Sequence, residues 1–222
     1  MIKKIIAITV LLSISIFALT GCNNISGTIV TGAGPLETRQ LDASDFSGIN
    51  LSGAFNLTFA HSDTFFVEIT QHENLFEYLE TNVRGNVLHV GYRRGIGINT
   101  TGNAPRLTIH APTLNSIDIS GAVSGTIEVV GDRLDFDASG AGSITLVGEV
   151  NTLNIDSSGA ISINAFDLIA EDVVVDVSGA ASVDVHASST LRVDLSGVGS
   201  VTYDGAPQVT QNVSGLGRVR SR

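Results

Sequence analysis

A single cysteine in 222 residues leaves no partner for an internal disulfide, and it also excludes a cysteine-based zinc cluster. Tryptophan is absent, proline occurs four times, and charged residues make up only 15% of the chain. Combined with 43% hydrophobic residues, this excludes a disordered tail, a collagen and a coiled coil, and leaves a chain able to bury a sizeable core. Lysine is missing everywhere except at Lys3 and Lys4. Beyond those two, 10 arginines stand against 22 aspartates and glutamates, a net charge of −12. So large an excess of carboxylates excludes nucleic acid as a partner held by counterion release, and gives no attraction to an anionic bilayer.

What is present begins with a leader. Lys3 and Lys4 precede an apolar run from Ile5 to Leu19, long enough for the hydrophobic region of a secretory signal and short for a spanning helix. Leu19-Thr20-Gly21-Cys22 follows and resembles the bacterial lipobox, at which a leader is cut before Cys and the cysteine is acylated. The expectation is a signal peptide over 1–21 and a lipidated Cys22, with the folded part outside the cytoplasm, in the cell envelope. Several acyl chains, at about 0.8 kcal/mol per buried CH₂, would hold the protein stably on a membrane. Asn23 after the cysteine is compatible with outer-membrane delivery, on the periplasmic face or at the cell surface. Residues 22–35, rich in Gly, Ser, Thr and Asn, read as a flexible tether.

The second half is periodic. A pattern [Asp/Asn]-x-Ser-Gly-[Ala/Val/Leu] recurs as Ser120-Gly121, Ser139-Gly140, Ser158-Gly159, Ser178-Gly179, Ser196-Gly197 and Ser214-Gly215, in steps of 19, 19, 20, 18 and 18 residues. A further copy, Asn50-Leu51-Ser52-Gly53-Ala54, stands out of series. The third residue before the serine is Ile117, Phe136, Ile155, Val175 and Val193 in the first five repeats, and the fifth after it is Ile144, Ile163, Val183, Val201 and Val219 in the last five. Apolar residues at alternate positions, mostly β-branched, are strand periodicity. One coil of this length cannot bury its apolar face alone, whereas coils stacked about 4.8 Å apart can. The expected fold is all-β, a parallel β-helix or β-solenoid with about 18–20 residues per coil. Residues 111–222 would form the regular repeats, and 36–110 an atypical N-terminal capping region.

Within each repeat the Ser-Gly pair reads as a turn, in which Gly supplies either positive φ or close backbone approach. Six equivalent serines without an evident His and Asp order argue against nucleophilic catalysis. Asp118, Asp137, Asp156, Asp176 and Asp194, each two residues before the serine, should face outward in a row. Two readings stand: an Asx-type hydrogen bond from each carboxylate to the Ser N–H, or a ladder of divalent-cation sites suited to Ca²⁺. No other cofactor is indicated.

In the first half, Phe46–Asn50, Phe55–Phe59, Phe65–Ile69, Val87–Val90 and Leu107–Ile109 are predicted strands, and Glu73–Glu80 a short helix or turn. The five histidines show no metal-ligand spacing. Arg93-Arg94, with the loop from Gly95 to Ala104, could receive a carboxylate sugar or simply be solvated. Arg218, Arg220 and Arg222 alternate along the last strand, where charge discourages edge-to-edge stacking or offers a basic ligand-binding tip.

The run Phe46-Ser47-Gly48-Ile49-Asn50-Leu51-Ser52-Gly53-Ala54-Phe55-Asn56-Leu57, then Val67-Glu68-Ile69, Glu73-Asn74-Leu75 and Gly85-Asn86-Val87-Leu88, followed by the Ser-Gly-Ala repeats, resembles the head-GIN-domain family of autotransporter-adhesin-like proteins of Bacteroidetes envelopes, a domain of unknown function. The resemblance spans about Leu36 to Val219. It implies a solenoid similar to pectin-lyase-like β-helices without their catalytic residues, and a role in adhesion; it carries over no site residues. The expected function is a non-enzymatic, lipid-anchored surface protein that binds a glycan or an envelope protein. A polysaccharide lyase or hydrolase is the alternative, and an edge-to-edge oligomer a third.

Overall fold

The computed structural model describes residues 28–100 and 102–222; the leader and Cys22 lie outside them. The N-terminal part holds β1 (Thr28–Thr31), β2 (Leu36–Gln40), β3 (Gly48–Ser52), β4 (Ala54–His61) and β5 (Phe66–His72). A 3₁₀ helix (Glu73–Tyr78) leads into β6 (Leu79–Arg84), β7 (Val87–Tyr92), β8 (Ile96–Asn99), β9 (Arg106–Ala111) and β10 (Ser116–Ile119). The repeats then supply β11 (Ala122–Ala138), β12 (Ala141–Ser157), β13 (Ala160–Val177), β14 (Ala180–Leu195), β15 (Val198–Asp204), β16 (Gln208–Val213) and β17 (Leu216–Ser221).

From β11 onward each strand pairs in parallel with its counterpart one repeat later, so the chain is a β-solenoid. A coil comprises one stretch before the Ser-Gly corner and one after it. Inside, the first stretch stacks Leu88, Ile49, Ile117, Phe136, Ile155, Val175 and Val193, all buried. The second stacks Leu57, Gly125, Ile144, Ile163, Val183, Val201 and Val219. Each fully buried aliphatic or aromatic side chain contributes roughly 1.5–3 kcal/mol, which makes these files the main source of cohesion. The uneven step length is absorbed away from the corner: register shifts fall between Thr145 and Val147, between Ala165 and Ile169 and between Ala170 and Asp172.

The copy at Ser52 is not out of series in space. Ile49 and Asn50 pair with Ile117 and Asp118, and Phe55 with Val123, so its coil lies directly against the first regular one. The intervening chain folds back to build the end of the solenoid. β7 and β9 add one more parallel coil beneath β3 and β4. β6 then covers β7, β5 covers β9 and β2 covers β5, all antiparallel, which occupies the sheet edges left open at that end.

Two segments depart from the sequence reading. Thr28–Thr31, assigned to the tether, pairs in parallel with Ile96–Asn99, part of the segment read as a loop. Asn74 pins the connection, accepting from Ala33 N–H and donating from Nδ2 to Thr31 O, at 2.8 and 2.9 Å. Gly95 and Gly97 obscure the strand in the sequence, and the pairing supplies what local propensity lacks.

Candidate binding face

At the corner, the glycines serve close approach rather than positive φ. A Cβ on Gly140 would overlap the carbonyl oxygen of Gly121, one on Gly159 that of Gly140, and one on Gly179, Gly197 or Gly215 the oxygen of the glycine one coil earlier. Gly121 stands against Gly53 in the same way. The corner serines are exposed and line one edge. Ser120 and Ser196 donate through Oγ to the carbonyls of Leu51 and Val177, at 3.3 and 3.4 Å, so these hydroxyls tie the corner to the preceding coil.

The outward residues before the corner form rows along the solenoid. One reads His89, Asn50, Asp118, Asp137, Asp156, Asp176, Asp194 and Asn212 from the capped end. Adjacent carboxylates about 4.8 Å apart repel by roughly 0.9 kcal/mol per pair even at water's dielectric constant. The expected Asx-type bond does not offset this. Ser139 N–H donates to Ile119 O at 2.9 Å, Ser158 N–H to Ala138 O at 3.0 Å, and Ser178 N–H to Ser157 O at 2.9 Å. Those amides point along the axis into the preceding coil, so the inter-coil ladder takes the donor that a local turn would need.

Relief comes from the ends of the row and from its neighbours. Asn50 Nδ2 donates to Asp118 at 2.9 Å, Asn212 Nδ2 donates to Asp194 at 3.3 Å, and Arg192 pairs with Asp194 at 2.8 Å. In the adjacent row, Ser116, Asp135, Asn154, Val174, Arg192 and Thr210 follow one another. Partial burial pushes the Asp135 carboxyl up, but hydrogen bonds from Arg133 and Asn154 and the charge of Arg133 outweigh it and hold it low. Asp137, Asp156 and Asp176 make no hydrogen bond or ion pair among the described residues. Burial first, then the charges of Asp156, Asp118 and Asp135, push the Asp137 carboxyl above its ordinary range. A shallow groove of about 580 Å³ runs beside these residues, lined by Arg133, Asn154, Asp156, Val174 and Asp176 among others. Among the described residues no three His, Cys, Asp or Glu side chains come together to hold a metal ion. The five aspartates considered for Ca²⁺ stand in file instead of converging on a point.

The raised carboxyl of Asp137 fixes the sign of a pH effect. A carboxyl that holds its proton more tightly when folded destabilises the fold once ionised, so the cost grows as pH rises through the folded value and vanishes below the unfolded value of about 3.9. Asp137→Asn removes the repulsion with Asp118 and Asp156, its two partners in the row, a gain of about 1 kcal/mol after salt screening. Thermal melts should therefore show Tm higher by about 2–4 °C at pH 7, with the gain fading towards pH 3 and in molar salt.

The stretch after the corner carries an outward row that the sequence reading passed over: Arg106, Asn56, Ser124, Ser143, Ser162, Ser182, Ser200 and Arg218. Its signal was available, since each serine lies four residues beyond a corner serine. The stretch before the corner is thus acidic outside, and the stretch after it carries a row of neutral hydroxyls.

Comparison with solved structures places this architecture among known ones. A protein described as a putative adhesin from Bacteroides fragilis NCTC 9343 shares the fold, with a TM-score of 0.74 at 21% identity over 87% of this chain and 100% of that one. A putative adhesin from Parabacteroides merdae ATCC 43184 matches with a TM-score of 0.48 at 21% identity, covering 88% of this chain and 99% of that one. A putative lipid binding protein from Parabacteroides distasonis ATCC 8503 matches with a TM-score of 0.45 at 19% identity, covering 88% and 100%. No curated protein matches the sequence. Residues 45–207 match a family model from the Asn50 copy through the fifth regular repeat, and the chain belongs to that family, "Putative auto-transporter adhesin, head GIN domain".

Proposed function

We propose that the protein is a non-enzymatic, lipid-anchored component of the outer membrane whose acidic sheet face binds a glycan. The observation that carries this is the file of Asp137, Asp156 and Asp176, three carboxylates on a rigid sheet with no donor of their own. A saccharide offers hydroxyl donors at regular intervals along a chain, and a hydrogen bond to an ionised acceptor is roughly twice as strong as a neutral one. Binding would thus supply the donors that the row lacks and offset its internal repulsion. The family's description as an adhesin, the lipobox ending at Cys22 and the leader before it support an envelope location. No helix among the described residues is long and apolar enough to cross a membrane, and in this reading attachment falls to the acyl chains on Cys22.

The test is glycan-array and titration binding with the lipid-free chain. Val174 lies exposed in the groove between Asn154 and Arg192, and Ser162 lies exposed on the stretch after the corner, outside that groove. Val174→Arg should weaken binding at least about tenfold, because the new side chain fills the groove, while Ser162→Arg leaves it unchanged. Failure of every glycan to bind, or loss of binding in Ser162→Arg alone, would overturn the assignment to this face.

A further inference from the structure

The acidic row stops being acidic at its capped end. Where the next five coils carry aspartate, the coil of β3 carries Asn50 and the coil of β7 carries His89. A cavity of about 510 Å³ opens at that point, between the Ser52-Gly53 corner and the turn that joins β7 to β8. Tyr92 forms one wall. Its ring stacks on Phe55 with centroids 5.7 Å apart, and its hydroxyl donates to Gln71 Oε1 at 2.6 Å, so it stands rigid. Ile96 and Ile98 supply half-buried apolar surface.

Three polar groups of this cavity have capacity to spare. Asn50 uses Nδ2 on Asp118 and keeps its carbonyl oxygen. The Ser52 hydroxyl makes no hydrogen bond among the described residues. Arg93 is committed, with Nη2 donating to Glu77 O at 2.9 Å and Nε 3.9 Å from Glu80, but Arg94 has neither a carboxylate nor a carbonyl partner among the described residues. Arg133 and Arg192, the arginines on the acidic face itself, are each paired with an aspartate two residues on. An uncommitted guanidinium in a cavity of a chain with net charge −10 is a place for one carboxylate, since the planar fork matches carboxylate geometry.

We propose that this cavity receives a sugar unit bearing a single carboxylate at the end of a glycan that is otherwise neutral. Arg94 takes the carboxylate, Asn50 and Ser52 take ring hydroxyls, and Tyr92 with the two isoleucines packs the apolar side of the ring. The rest of the glycan runs onto the aspartate row, which begins one coil away. A polyuronate is disfavoured by the same geometry, because its further carboxylates would lie against Asp118, Asp137 and Asp156. The inference deepens the glycan reading and rests on it.

The probes are a neutral oligosaccharide ending in one glucuronic acid, the same oligosaccharide ending in glucose, and polygalacturonate, titrated against the lipid-free chain. The acid-terminated probe should bind at least about tenfold more tightly than the neutral one, the scale of a charge-assisted contact, and polygalacturonate more weakly than either. Arg94→Gln, in an exposed turn, should abolish that preference, so that the acid-terminated and neutral probes bind alike, while leaving the melting temperature unchanged. Asn50→Asp, which extends the acidic row into the cavity and replaces the amide that donates to Asp118, should also abolish the preference, here with a lower melting temperature. Equal affinity for the two oligosaccharides, or a preference that survives Arg94→Gln, overturns the pocket while leaving the glycan reading intact. Failure of both oligosaccharides to bind overturns the pocket and the glycan reading together.

Discussion

Gly159→Ala should destabilise the protein by more than about 4 kcal/mol, with Tm falling by roughly 8–16 °C at the 2–4 °C per kcal/mol expected for a domain of this size. The added Cβ would overlap the Gly140 carbonyl oxygen, which is backbone and has no rotamer by which to yield. Relief requires the two coils to part at the corner. That strains Ser158 N–H to Ala138 O at 3.0 Å, Gly159 N–H to Ala138 O at 3.2 Å and Ala160 N–H to Gly140 O at 2.9 Å, three bonds that hold successive coils in register. Gly131→Ala is the control: nothing lies within 4 Å of its Cβ position and its φ is not positive. There the substitution should be neutral or stabilise by up to about 1 kcal/mol, through the unfolded chain. Denaturant titration of both variants separates close packing at the corner from the general effect of removing a glycine.

Much of the regular half was legible in the sequence because a stacked coil imposes the same demand at every repeat. Alternate apolar residues marked Ile117, Phe136, Ile155 and Val175 as one interior file, and the structure stacks them in that order. Close approach at the corner was legible as a choice between two roles for glycine, and the carbonyl against each Cβ position decides it. The partner of the serine amide was not legible. Asp-x-Ser is a local pattern, and whether Ser158 N–H turns to Asp156 or to the preceding coil depends on stacking that no short window contains.

The capped end was legible in its strands but not in its pairing. Phe55–Phe59 and Leu107–Ile109 have clear alternation, yet nothing in either segment says that they are neighbours while Phe66–His72 closes the edge of the second in the antiparallel sense. Thr38, Arg39 and Gln40 in β2 are exposed, so that strand carries little apolar signal and forms because the edge of β5 is there to pair with. For the same reason the acidic row was visible while the pocket at its end was not. Arg94 and Ser52 are far apart in the chain, and only the stacking of β7 beneath β3 brings the β7–β8 turn to the first corner.

The adjacency of the Asn50 coil and the first regular coil carries the architecture, the continuity of the row and the location of the pocket. Thr58 and Thr126 are register partners across that boundary on the outer face, and Thr145 is the next along. In a chain with Cys22→Ser, a cysteine pair at 58 and 126 should close to a disulfide under mild oxidation, since adjacent strands lie about 4.8 Å apart and a bridge needs Cα atoms within about 7 Å. The pair at 58 and 145, about 9.6 Å apart over two coils, should stay reduced. Mass spectrometry of the oxidised chains reads both outcomes. A bridge at 58–145, or none at 58–126 in a folded chain, would contradict the stacking of these coils.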